Sequence, residues 1–149
     1  MKKLNKKGSV LISVVTIVLL ILIIFSIIFA VANSYQKRAV NEHARKQAYL
    51  NGVSIAESIA GQIYSGNSNF IPTDSQIEFD NTDITLPTGY GGKVSAIIKY
   101  KSANEKDVLY IQVTSTYSNQ VEELQLSMKK QNEKWYKTVY SKIGDVLDD

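Results

Sequence analysis

Ser9-Val10-Leu11-Ile12-Ser13-Val14-Val15-Thr16-Ile17-Val18-Leu19-Leu20-Ile21-Leu22-Ile23-Ile24-Phe25-Ser26-Ile27-Ile28-Phe29-Ala30-Val31-Ala32 is a run of 24 residues without a charged side chain. At ~1.5 Å rise per residue it makes a helix of roughly 36 Å, enough to cross a hydrocarbon core of ~30 Å. Lys2, Lys3, Lys6 and Lys7 stand just before it. Lysines resist translocation, so residues 1–8 read as a cytoplasmic basic leader and the C-terminal part as external. The chain is expected in the cell membrane as a single-pass protein. Three fates of the leader are open. A cut after Ala32, at the A-x-A site Ala30-Val31-Ala32, releases a secreted binding module. A cut between Gly8 and Ser9 keeps the apolar helix. No cut leaves a signal-anchored envelope protein.

Beyond the membrane the helix is expected to continue. Between Ser9 and Asn51 there is neither Gly nor Pro, the strongest helix breakers. Residues 33–64 become polar but keep Ala44, Ala48, Gly52, Ile55, Ile59 and Ile63 at spacings of three and four, with Val40 and Ala56 beside them. That pattern puts one apolar stripe on an amphipathic continuation. Arg38, Glu42 and Lys46, each four apart, offer pairs on the other face. The whole helix, 9–64, would measure ~84 Å. Ser65-Gly66-Asn67-Ser68-Asn69 stops it, and 65–92 reads as a loop region punctuated by Pro72, Pro87, Gly89, Gly91 and Gly92. Ser75–Phe79 and Thr82–Leu86 are candidate short strands within it.

From 93 to 149 the period changes to two. Lys93–Lys101 places Val94, Ala96, Ile98 and Tyr100 on one face, and Val108–Tyr117 does so with Leu109, Ile111, Val113 and Tyr117. Val121–Lys129 alternates Leu124, Leu126 and Met128 against Glu123, Gln125 and Ser127. Trp135–Tyr140 sets Tyr136 and Tyr140 opposite Trp135 and Val139. Short connections and one-sided alternation predict an antiparallel meander of about four strands with a wet outer face. The fold class is α+β: a long N-terminal helix whose second half packs on this sheet, with 33–149 as one globular domain.

The chemistry of the remaining residues excludes more than it offers. There is no cysteine, hence no thiol or disulfide chemistry. The 17 basic and 14 acidic residues give +3, but four lysines lie in residues 1–8, leaving 13 bases against 14 acids, a net of −1. The basic isoelectric point thus belongs to the leader, and composition gives no support for a DNA or surface ligand. His43, the single histidine, reads as a solvated helix residue. No serine elbow accompanies it, so no catalytic residue and no enzyme activity is expected. Asp74, Glu78, Asp80 and Asp83 with Asn81 lack the spacing of a calcium loop, and the acidic tail Asp145, Asp148 and Asp149 reads as solvated. No metal or cofactor is expected. Gly89-Tyr90-Gly91-Gly92 precedes a strand and reads as a turn, since a phosphate loop would open a helix. Tyr110, Tyr117, Trp135, Tyr136 and Tyr140 read chiefly as sheet aromatics.

Lys6-Lys7-Gly8 followed by Ser9-Val10-Leu11-Ile12 resembles the leader of type IV prepilins, in which a peptidase cuts after the glycine and the apolar helix stays. With the helix-on-sheet outline, the whole chain resembles the type IV pilin and pseudopilin superfamily. It is most like the PilX-class minor pilins and the K-type minor pseudopilins. Arg45-Lys46-Gln47-Ala48-Tyr49-Leu50-Asn51-Gly52-Val53-Ser54-Ile55-Ala56-Glu57 is similar to a small-residue helical stretch of that subgroup. Ile111-Gln112-Val113-Thr114-Ser115-Thr116-Tyr117 with Val121 is similar to its strand–turn–strand pattern. The resemblance implies cleavage between Gly8 and Ser9, methylation of the new Ser9 amine, and assembly into or priming of a pilus or pseudopilus. Implied partners are major and minor pilins, the prepilin peptidase, the inner-membrane assembly platform with its motor and, before assembly, membrane lipid. The family's Glu at the fifth mature position is Ser13 here. In the family that Glu meets a neighbour's terminal amine, so its absence implies either a tip position or a chain that never polymerises.

Overall fold

The computed structural model describes residues 6–73, 75–102 and 105–143, with side chains from Val10 onward. Lys2 and Lys3 of the leader, Asp74, and the tail carboxylates Asp145, Asp148 and Asp149 lie outside the described residues. Helix α1 runs Lys6–Tyr64. It starts ahead of the expected Ser9 because Lys6 and Lys7 are good helix formers and one glycine costs only about 1 kcal/mol. The chain divides into two compact units, Met1–Asn41 and Glu42–Asp149, and α1 contributes to both.

The helix ends where the sequence says it should, and the mechanism is visible. Gly66 adopts φ +85°, its N–H bonds to the Ile63 carbonyl at 3.1 Å, and the Asn67 N–H reaches the Gln62 carbonyl at 3.0 Å. This is the Schellman arrangement, which satisfies two carbonyls the last turn would otherwise orphan.

Five antiparallel strands follow in the order of the sequence: β1 (Gln76–Phe79), β2 (Lys93–Tyr100), β3 (Val108–Tyr117), β4 (Gln120–Gln131) and β5 (Lys134–Ser141). The fifth strand beyond the expected four or so is β1, the candidate Ser75–Phe79 of the loop region, which pairs with β2. The other candidate there, Thr82–Leu86, is not a strand. The Asp80 N–H bonds to Asp83 Oδ2 and the Asp83 N–H to the Asp80 carbonyl, both at 2.9 Å. This turn consumes the first residues of the candidate, and Pro87 ends it without a donor. Ile84 and Leu86 still pack on the core. Two-residue turns join β3 to β4 at Ser118-Asn119 and β4 to β5 at Asn132-Glu133. All four residues have φ between 46° and 64°, the left-handed pair that matches strand twist in a type I′ hairpin.

The core lies between the second half of α1 and the sheet. Ala44, Ala48, Gly52, Ile55, Ala56, Ile59 and Ile63 are buried as the stripe predicts, against Val94, Ala96, Ile98, Leu109, Ile111, Val113, Leu124, Leu126 and Met128. Val40, expected beside the stripe, is exposed. A Cβ on Gly52 would stand 2.7 Å from Leu124 Cδ2, so this position holds helix and sheet at their observed separation. Among the described residues Glu42 and Lys46 form no ion pair. The helix is tied to the sheet by Arg45 with Glu122 of β4 and Glu57 with Lys137 of β5.

Two expectations about strand faces need correcting. Gln125 and Ser127 lie on the face away from α1, yet they are 2% and 4% exposed. Gln125 accepts from Gln112 at 2.7 Å and its amide reaches Ser141, while Ser127 donates to the Val139 carbonyl and accepts from Thr138. That part of the outer face is a closed polar lattice, drier than expected. In β5 the register slips: Met128 pairs with Lys137 but Leu126 pairs with Tyr140. This bulge puts Thr138 and Val139 opposite Ser127 and turns Tyr140 onto the helix side with Trp135 and Lys137. Simple alternation had set Tyr140 against Trp135, and one inserted residue inverts everything after it.

Candidate functional site

The part of the molecule that asks for a partner is Val10–Phe29. Its large apolar side chains are between 46% and 76% exposed, from Ile21 to Phe29. No described residue covers them. A soluble monomer rarely leaves an apolar patch of more than a few hundred Å² uncovered, and this one encircles the helix over five turns. By length and composition the helix can cross a membrane.

Its polar groups are arranged to suit that environment. Thr16 donates its hydroxyl to the Ile12 carbonyl at 2.9 Å, and Ser26 donates to the Leu22 carbonyl at 2.8 Å. Each hydroxyl finds its acceptor within its own helix, as an apolar solvent requires. Ser13 lies exposed on the same stretch. Gly8 and Ser9 fall in the first turns of α1, beside Lys6 and Lys7.

The Glu42–Asp149 unit carries the charged and hydrogen-bonded features, and few of them were foreseen. Asn51, fully buried in the apolar seam, accepts from Gln47 at 3.0 Å and donates to the Gly91 carbonyl at 2.7 Å. The Gly89–Gly92 stretch is therefore a turn latched to the helix. A Cβ on Gly92, at φ +107°, would come 2.3 Å from the Thr116 carbonyl oxygen, which explains its glycine. Glu57 accepts from Lys137 and, at 2.6 Å, from the Tyr140 hydroxyl. The Lys137 hydrogen bond is the main cause that holds the Glu57 carboxyl below its ordinary pKa, with Tyr140 second. Burial first, then Glu57, raises the Tyr140 phenol. Asn51 and Glu57 both lie inside the quoted small-residue stretch, but the partners of Glu57 are some eighty residues away.

The residues considered for catalysis or metal binding stay apart. His43 is exposed on α1. The Asp83 carboxylate accepts from the Asp80 N–H in their own turn, to which Asp80 contributes its backbone, and Glu78 accepts from Gln76 at 2.6 Å. Among the described residues no group of three acids or histidines could hold a metal ion. Of the named aromatics, Tyr110 and Trp135 are buried, Tyr117 is half-buried against Gly91, and Tyr136 meets Tyr64 edge-on at 6.1 Å. No family model matches the chain, and no curated protein or solved structure matches it.

Proposed function

We propose that the chain is a minor type IV pilin or pseudopilin, cut by a prepilin peptidase after Gly8 and then assembled at the tip of a filament or used to prime one. The observation that carries this reading is the change of role along α1. Val10–Phe29 offers lipid or other helices an uninterrupted apolar surface with its hydroxyls satisfied internally. Ala44–Ile63 is built into a folded head. Such a helix can leave lipid for a bundle of similar helices with no charged side chain to desolvate, and side-chain packing then supplies the association.

In this reading Lys2, Lys3, Lys6 and Lys7 hold the leader on the cytoplasmic side until the peptidase removes it. The head is then outside the cell. The new Ser9 amine, methylated, is the one charge that enters the filament core. Ser13 cannot neutralise the amine of a subunit ahead of it, and an unpaired charge in an apolar environment costs several kcal/mol. A subunit lacking that carboxylate fits where no subunit lies ahead. Partners are the major and minor pilins beneath it and the membrane assembly platform.

N-terminal sequencing and intact mass of protein from native membranes and sheared filaments test this. The expected mature terminus is Ser9, with a methyl group. A terminus at Asn33 makes the chain a secreted module, and an intact leader makes it a membrane anchor; either result ends the proposal. Gly8→Asp is expected to retain the leader and to abolish incorporation. Ser9 processing without recovery in filaments selects the priming role.

A further inference from the structure

Just past the apolar run the sequence places two bases that topology gives no use. Lys37 and Arg38 follow Ala32 closely, and Glu42 is the first acidic residue in the chain. Bases on both sides of a span oppose each other in setting its orientation. This pair therefore weakens the asymmetry that Lys2, Lys3, Lys6 and Lys7 create. The fold does not employ the two bases either. Residues 33–41 are exposed throughout, with Tyr35 at 68%. Neither Lys37 nor Arg38 has a carboxylate at ion-pair distance among the described residues. The next arginine, Arg45, is by contrast paired with Glu122.

Their placement says what kind of partner fits. At 3.6 residues per turn, Arg38 lies roughly 60° round the helix from Tyr35 and Lys37 roughly 160°. The three residues therefore do not share a face. They share a level, within ~4.5 Å along the helix axis. A folded partner reaches a helix from one side, whereas a lipid leaflet surrounds it at one level. The level is also the right one: Tyr35 to Arg38 stand ~4.5–9 Å beyond Ala32, and headgroups occupy about 5–7 Å on each side of the hydrocarbon core. Helical side chains lean toward the N-terminus, which brings these three back toward the run. Tyrosine is a residue of membrane interfaces. Ammonium and guanidinium groups match phosphate oxygens, while their aliphatic stems can lie along the apolar helix.

We propose that Tyr35, Lys37 and Arg38 form a collar that binds the phosphate groups of anionic phospholipids, in the leaflet on the C-terminal side of the span. The inference rests on the reading of Val10–Phe29 as a membrane span and is independent of whether the chain enters a filament. The collar fixes the depth of the span. An uncharged helix of ~36 Å is longer than a core of ~30 Å, so apolar character alone leaves it free to slide and tilt. Two cations held at one level by headgroup phosphates remove that freedom, and Tyr35 marks the edge of the hydrocarbon below them.

The test uses the full chain in lipid vesicles. The protein has no cysteine, so Asn33→Cys carries a single bimane label just below the collar. Lipids brominated near the top of their acyl chains quench that label when they stand next to it. Brominated phosphatidylglycerol in phosphatidylcholine, and the reverse pairing, give the preference of the site for the anionic lipid. At low salt each cation is expected to raise that preference about fivefold. K37Q and R38Q each lower it by about the same factor, K37Q/R38Q brings it to parity, and K37R retains it. K93Q, in the head, leaves it unchanged. Equal quenching by the two lipids with the collar intact overturns the proposal and leaves the span standing. So does a preference that survives K37Q/R38Q. Quenching by neither lipid removes the span itself and this inference with it. Quenching that falls as the protein-to-lipid ratio rises shows a second copy at that level in place of lipid, which also overturns the proposal. Trp135 emission checks that the head of each variant is folded.

Discussion

The two halves of α1 use the same backbone for opposite ends. In Val10–Phe29 every large apolar side chain faces out, and no face is special. In Ala44–Ile63 one apolar stripe, most of it small residues, is below 10% exposed, while Tyr49 and Leu50 stand outside it in solvent. The first half is specified by composition, the second by period. A surface hydrophobic all round needs a solvent of its own kind, whereas a stripe needs only one partner surface. The contrast also separates the two vulnerabilities of the protein, since a change harmless in one half should be severe in the other.

The sharpest way to break that contrast is a cavity. Leu126→Ala, at 1% exposure under the helix, is expected to destabilise the C-terminal unit by about 2–5 kcal/mol. Leu20→Ala, at 55%, should leave its unfolding unchanged; Trp135 fluorescence in denaturant reads both. A charge reverses the sensitivity. Leu20→Lys at the middle of the apolar run should cost about 3 kcal/mol of insertion and move protein out of the membrane fraction. Leu50→Lys, equally exposed on the second half, should not move it. A smaller effect sets two helix glycines against each other. Gly52→Val drives a side chain into Leu124 and is expected to cost about 1–3 kcal/mol. Gly61→Ala, where a Cβ meets nothing within 4 Å, should stabilise by about 0.5–1 kcal/mol. Equal signs at both positions would contradict the close approach at Gly52.

The smallest effect is in pH. The Glu57 carboxyl is lowered in the folded state by Lys137 and Tyr140, so its contribution is complete above the unfolded carboxylate range and disappears as pH falls through the folded pKa. Glu57 is partly solvated, which limits the effect to below about 1 kcal/mol. Glu57→Gln should therefore lower stability slightly at pH 7 and flatten the acid side of a stability profile. An unchanged profile would mean that solvent screens the contact entirely.

What the sequence made legible follows from range. The apolar run, the stripe, the stop at Ser65-Gly66 and the alternation of β2, β3 and β4 are local patterns, and each was readable. Asn51 was not, because its acceptor on Gly91 lies forty residues away and a polar residue in an apolar seam gives no sign of its partner. Tyr140 was misplaced because alternation carries no information about a bulge. The burial of Gln125 and Ser127 depends on neighbours in β3 and β5 together. Gly8, Ser9 and Ser13 are a different case: their proposed roles rest on resemblance, and no geometry around them adds to it.

Both margins of the sheet are unsuited to recruiting another strand. β1 offers four residues, and β5 is interrupted by its bulge and carries Lys134 and Lys137 along its length. Unpaired margins template association most readily when long, flat and uncharged. Were the apolar helix to confine copies of the chain to a bilayer, blunt margins would keep their collisions from fusing into continuous ribbons, so that copies could crowd together and still separate.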